Sequence, residues 1–169
     1  MSLPVVALSI RQPWAWAIVY ARKDRENRSR ESIRLGNMRS VVGQRIAIHA
    51  AKGMTRDEYE HAAAFIRTLA GDCPAPHELE RGGIIGTALV TGLITKSVEA
   101  EATPSAWFFG PGALVLAAPE PAPFVGSTGK LGIFQWQPNG QGPDAAARWM
   151  LPAPVEVAGS DLNTQPRLI

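Results

Sequence analysis

The chain predicts an α+β fold, a small mixed β-barrel of five to six strands flanked by two or three helices. Three observations carry that expectation. The length, 169 residues, is that of one domain. Apolar residues make up 46% of the chain, enough for a single core. The 16 glycines and 14 prolines are too many for a helical bundle and suit a turn-rich fold containing strands.

The elements follow in order. Val5–Ser9 is a short apolar run and reads as a buried strand. Pro13 suits the first turn of a helix, where its missing N–H costs nothing. Trp14, Ala17, Ile18 and Ala21 recur at i, i+3, i+4 and i+7, one stripe of a helix from about Pro13 to Arg22. Residues 23–40 are polar and basic and read as a strand or an extended surface loop. Arg45–Ala50 alternates, with Ile46 and Ile48 on one face and Arg45, Ala47 and His49 on a more polar one. Thr55 with Glu58 three residues on forms a capping box, and Tyr59, Ala62, Ala63 and Ile66 stripe a helix that runs to about Ala70. Gly82–Ile94 is apolar and broken by Gly86 and Gly92, a long, bent central strand whose glycines suit bulges. Ala113–Ala117 and Leu131–Trp136 are further strands, joined by a connector carrying Pro119, Pro121 and Pro123. After Trp136 the composition turns to Pro and Gly, then to a short Ala-rich stretch around Trp149, and from about Pro152 to a poorly ordered tail. The expected domain is therefore 1–137, with 138–169 an extension partly ordered or packed on the barrel.

Several classes are excluded or disfavoured. A lone cysteine, Cys73, cannot build a disulfide framework or a cysteine-based zinc site. His49, His61 and His77 are spread apart with no carboxylate at ligand spacing, so neither metal nor cofactor is expected. No stretch approaches the roughly 18 apolar residues of a membrane span. The first ten residues lack the basic start and long apolar run of a secretory signal, so a cytoplasmic protein with no membrane partner is expected.

Charge is unevenly spread. The net charge is +2, yet residues 11–56 carry eleven bases against three acids, a local balance of +8, leaving −6 on the remainder. Nine of the eleven are Arg, whose planar fork suits phosphate and guanine contacts. Such a basic surface attracts nucleic-acid phosphates. The plainer alternative is a solvated charged face balanced by acids in three dimensions.

A series of motifs resembles the ASCH domain family. Leu8-Ser9-Ile10-Arg11-Gln12-Pro13-Trp14-Ala15 is similar to its opening motif, and Ala21-Arg22-Lys23-Asp24-Arg25-Glu26-Asn27-Arg28 to its G-x-K-x-x-E-x-R signature, with Ala21 in place of the glycine. Ile46–Lys52, Gly83–Ala88, Trp107–Pro111 and Gly129–Phe134 follow in the family's order. The resemblance implies a PUA-like β-barrel and RNA-related binding or chemistry in a cleft near the signature. Relatives that deacylate acetylcytidine use Lys-x-x-Thr; here Glu26 stands where that Thr would be, although Lys23 and Arg28 match.

The leading expectation is RNA or single-stranded nucleic-acid binding through a basic cleft with a pocket for one unstacked base. The candidate residues are Gln12, Pro13, Trp14, Lys23, Glu26, Asn27, Arg28, His49, Lys52, Trp107, Phe108 and Lys130. Arg28 and Lys23 would grip phosphate while Glu26 or Asn27 reads a base edge. In an extended segment Glu26 and Arg28 point one way and Lys23 the other, unless a turn at the helix end re-aims it. Trp14 is either core or a stacking platform, and Trp16 lies off the apolar stripe. His49 is either a base or phosphate contact, or a half-buried side chain bonded to backbone. The aromatic cluster of Trp107, Phe108 and Phe109 either lines the pocket or closes the barrel. Gly126–Lys130 lacks the spacing of a nucleotide-triphosphate loop, but Lys130 remains a phosphate contact. The alternative is a hydrolase acting on a modified nucleoside (acylated cytidine) or on RNA, with Lys23 and Glu26 as acid–base pair. A protein-interaction module is the third and plainest reading.

Overall fold

The computed structural model describes residues 2–155. Among them are six strands and four α-helices in an α+β arrangement. The strands are β1 (Val6–Ile10), β2 (Arg25–Arg28), β3 (Arg45–Ala50), β4 (Gly83–Ile94), β5 (Gly112–Gly126) and β6 (Ile133–Gln135). The helices are α1 (Trp14–Tyr20), α2 (Arg30–Leu35), α3 (Arg56–Ala70) and α4 (Ser97–Ala102). One sheet holds every strand in the order β2-β5-β4-β3-β1-β6 and curls into a half-barrel whose edges are β2 and β6. All neighbours are antiparallel except β1 and β3, which run parallel.

β1 and β3 are covered on both faces. Leu8, Ile10, Ile46 and Ile48 pack with Ile18 of α1 in the main core. Ala7 and Ala47, one position out of phase, pack with Ile84 and Phe134 on the other face. Each fully buried Ile or Leu contributes about 1.5–3 kcal/mol of transfer free energy. The face of β3 read as polar is therefore enclosed, and His49 with it. A third cluster forms where the stripe of α3, Tyr59, Ala63 and Ile66, meets Trp107 and Met150.

Several expectations are revised. Residues 23–40 are more than a strand or loop: after β2, Ser29 accepts a hydrogen bond from the Ser32 N–H and starts α2, and a 3-10 turn follows at Met38–Val41. The short helix α4 was not foreseen. The Pro-rich connector is the distal half of β5, which runs unbroken past Pro119, Pro121 and Pro123. Proline is tolerated there because β2 pairs only with Gly112–Val115, leaving the distal half of β5 a sheet edge where a missing N–H breaks no ladder bond. The left-handed Ala118 and shifts in the β4–β5 register absorb the bends. The helix expected from Pro13 to Arg22 is shorter, and the proposed tail from Pro152 lies mostly outside the described residues.

Candidate nucleic-acid interface

A cavity of about 850 Å³ opens beside the ends of β1, β2 and β3. Its floor comes from Ser9, Glu26 and His49, one wall from Trp14, and its roof from the loop 127–132 and residues 139–144. That roof is anchored at Gly132, whose positive φ brings its backbone against Gly36 at the end of α2, with no room for a Cβ.

The signature segment is positioned by the end of α1. The Ala17 carbonyl accepts from both the Ala21 and Lys23 N–H groups, and Arg22 adopts a left-handed conformation. This turn re-aims Lys23, so Lys23 and Glu26 meet instead of pointing apart. Lys23 Nζ donates to Glu26 Oε2 at 2.9 Å and to the Arg25 carbonyl, and sits 5.6 Å from the centre of the Trp14 ring. Arg28 Nε donates to Glu26 Oε1 at 3.1 Å, and Arg28 Nη2 to the Ser9 carbonyl at 2.9 Å. Burial pushes the Glu26 carboxyl up more than any single partner pulls it down. The charges and hydrogen bonds of Lys23 and Arg28 together outweigh burial and hold it below the usual carboxylate value. Glu26 is thus an ionised clamp for two cations. Lys23 is 3% exposed and does not line the cavity, which Glu26 and Arg28 do.

His49 is 1% exposed and held at both ring nitrogens. Nε2 lies 2.8 Å from the Ser127 carbonyl and Nδ1 2.9 Å from Ser9 Oγ. Because a carbonyl only accepts, Nε2 carries the proton and Nδ1 accepts from the Ser9 hydroxyl. Burial lowers its pKa most, against smaller opposing effects of the Ser127 hydrogen bond and the Asp144 charge, so the ring is neutral at pH 7.

The other candidates separate into two groups. Trp14, Lys52 and Lys130 line the cavity, with Lys52 81% exposed and 3.9 Å from Asp144. Gln12, Pro13, Trp107 and Phe108 do not line it. Gln12 is buried, donating to the Glu80 carbonyl at 2.8 Å and accepting from the Trp16 N–H at 2.9 Å, which ties α1 to the loop before β4. Trp107 packs edge-on against Phe65, 5.8 Å between ring centres, in the cluster beneath α3. Asn27 borders the cavity, but its amide is committed. It donates to the Trp107 carbonyl at 2.9 Å and accepts from the Phe109 N–H at 2.8 Å, leaving little of it to read a base.

The cations are less free than the sequence implies. Of the eleven in residues 11–56, Arg11, Lys23, Arg25, Arg28, Arg45 and Lys52 are ion-paired among the described residues. Four cations line the cavity, Arg11, Arg28, Lys52 and Lys130, against two carboxylates, Glu26 and Asp144, a local balance of +2.

Sequence reasoning missed Ser9, Arg11 and the whole contribution of residues 139–144. Ser9 and His49 lie 40 residues apart and meet only because β1 and β3 pair in parallel with those two residues in register. Cys73 lies in the cluster under α3, where burial pushes its thiol up to about 11, far from a reactive thiolate. No group of three or more His, Cys, Asp or Glu side chains suited to a metal ion occurs among the described residues. No described helix is long and apolar enough to cross a membrane.

No family model matches the chain, and no curated protein does. Among solved structures it is similar to an ASCH protein from Zymomonas mobilis, crystallised as a single-residue mutant, at 18% identity over 72% of each chain with a TM-score of 0.37. This is a distant likeness at the level of the fold.

Proposed function

We propose that this chain is an ASCH-type, PUA-like domain of the cytoplasm that binds RNA or another single-stranded nucleic acid. One unstacked base would enter the cavity, with the neighbouring phosphates on its cationic rim. The observation that carries this reading is the meeting, around one hollow of about 850 Å³ with ample room for a nucleoside, of an indole wall with four cations that outnumber the local carboxylates. Trp14 offers a stacking surface. Arg28 is pre-oriented by Glu26 and the Ser9 carbonyl, so little side-chain freedom is lost when it meets a phosphate. The motif series from Leu8 to Phe134 supports the same reading. The acid–base alternative fits less well, because Lys23 lies behind Glu26 and a carboxylate held below its usual pKa is a weak base.

The test is fluorescence anisotropy of a labelled single-stranded RNA titrated at about 50 and 200 mM salt. Four rim cations set a log–log salt slope no steeper than about −3. Arg28→Ala and Lys130→Ala should each weaken binding and flatten that slope. Absent binding, or binding indifferent to salt, overturns the proposal.

A further inference from the structure

Ser9 and His49 occupy equivalent positions on neighbouring parallel strands, so their side chains leave the same face of the sheet side by side. The β3–β4 register shifts between Ile48 and His49, a local irregularity of the kind that re-aims a side chain. His49 is then fixed by three contacts: the Ser127 carbonyl at Nε2, the Ser9 hydroxyl at Nδ1, and the edge of Phe134, ring centres 5.8 Å apart. The tautomer this imposes leaves the Nδ1 lone pair on the Ser9 proton. Ser9 differs from a serine that merely satisfies a buried histidine in two respects. It lines the cavity, and its own carbonyl accepts from Arg28, which holds a guanidinium at the Ser9 backbone in the same hollow. Gly129 passes so close overhead that a Cβ there would stand 2.8 Å from His49 Cε1 and 3.0 Å from Ser9 Oγ. A nucleophile, a base, a group orienting the base and a nearby cation are thus assembled in one hollow.

We propose that Ser9 is a nucleophile activated by His49, and that the cavity hydrolyses acyl esters of small anionic molecules. The proposal does not rest on nucleic-acid binding, although both would use the same cavity. Ser9 Oγ attacks the acyl carbon while its proton passes to His49 Nδ1, and the Nε2–H stays on the Ser127 carbonyl. The tetrahedral oxyanion forms beside Arg28. Its collapse breaks the ester C–O bond, and the leaving alcohol takes the proton from Nδ1. Solvent water then attacks the acyl-serine and gives its proton to Nδ1. Ser9 departs with that proton, releasing a carboxylic acid and restoring the resting pair.

The test is covalent labelling with a fluorophosphonate, followed by intact mass and peptide mapping. One adduct per chain on the peptide bearing Ser9 is expected. Ser9→Ala should abolish labelling, and His49→Gln should slow it about 100-fold or more. Should His49→Gln fail to fold, the wild-type pH profile serves instead. Labelling should rise with pH along a single titration whose midpoint lies below the usual histidine value. Asp144 is the charged group that acts on that ring, and Arg11, Glu26, Arg28, Lys52 and Lys130 line the same cavity. No adduct on Ser9, or labelling that His49→Gln leaves unchanged, overturns the proposal. Labelled Ser9 in a chain that binds no RNA supports the nucleophile while removing the nucleic-acid reading. RNA binding without an adduct does the reverse.

Discussion

Lys23 carries its charge with almost no access to water because three neighbours share it: the Glu26 carboxylate, the Arg25 carbonyl and the face of Trp14. Removing one partner of such a buried pair leaves the other charge stranded. Lys23→Ala should therefore destabilise the fold by about 3–5 kcal/mol, whereas Lys52→Ala, at the exposed rim, should cost less than about 1 kcal/mol. Urea unfolding of the two variants checks the contrast, and equal losses would refute it. Asn27 gives a second contrast. Its two hydrogen bonds hold the backbone of Trp107 and Phe109, so Asn27→Ala should cost about 1–3 kcal/mol of stability. RNA affinity of the folded fraction, read by anisotropy below the melting temperature, should be unchanged. A selective loss of affinity with full stability would return Asn27 to the role of base reader. The sequence marks Asn27 and Lys23 as notable but cannot assign them. Their partners are a loop 80 residues away and a left-handed turn at Arg22, where the chain pattern carries no glycine to announce it.

At the scale of elements, what could be read was set by how local the deciding interactions are. α3 was legible because its signals sit within its own residues. Thr55 accepts from the Glu58 N–H, Glu58 accepts from the Thr55 N–H, and Gly71 closes the other end in a left-handed conformation. Thr55→Ala should cost about 1 kcal/mol, seen as a lower unfolding midpoint with unchanged denaturant slope. A slope change would mean that α3 detaches separately from the sheet. α2 was hidden by its shortness: one turn and a half with a single buried residue, Ile33, shows no periodicity to read. The distal half of β5 was hidden for the opposite reason. Three prolines argue against a strand unless the strand is known to be an edge, and that depends on how far β2 extends along it.

At the scale of the molecule, charge and proton binding are settled by which distant segments come together. The excess of +8 over residues 11–56 was plain in the sequence. That Glu58, Glu120 and Asp144 neutralise part of it was not, because each acid reaches its partner through the tertiary fold. Those pairs lie at the surface; the buried titratable groups His49 and Glu26 instead give the fold a pH dependence of definite sign. His49 is folded with a depressed pKa, mainly by burial, so the unfolded chain takes up a proton that the native ring refuses. Its contribution is complete above the unfolded value near 6.5 and is lost as pH falls through the native one. Glu26 is also depressed: although burial opposes it, Lys23 and Arg28 prevail, so its contribution is present above 4.5 and is lost as pH falls through its lower native value. Acidification should thus lower the melting temperature in two stages, one beginning below about pH 6.5 and one below about pH 4.5. Calorimetry from pH 8 to 3 resolves them. His49→Gln should flatten the first stage and leave the second, and Glu26→Gln should leave the first and reduce the second, to which Glu58 and Glu99, also held below the usual value, contribute. A wild-type melting temperature constant between pH 7 and 5 would mean that His49 is not held neutral by its enclosure. Ser9 would then face a ring already protonated where the reaction needs a base.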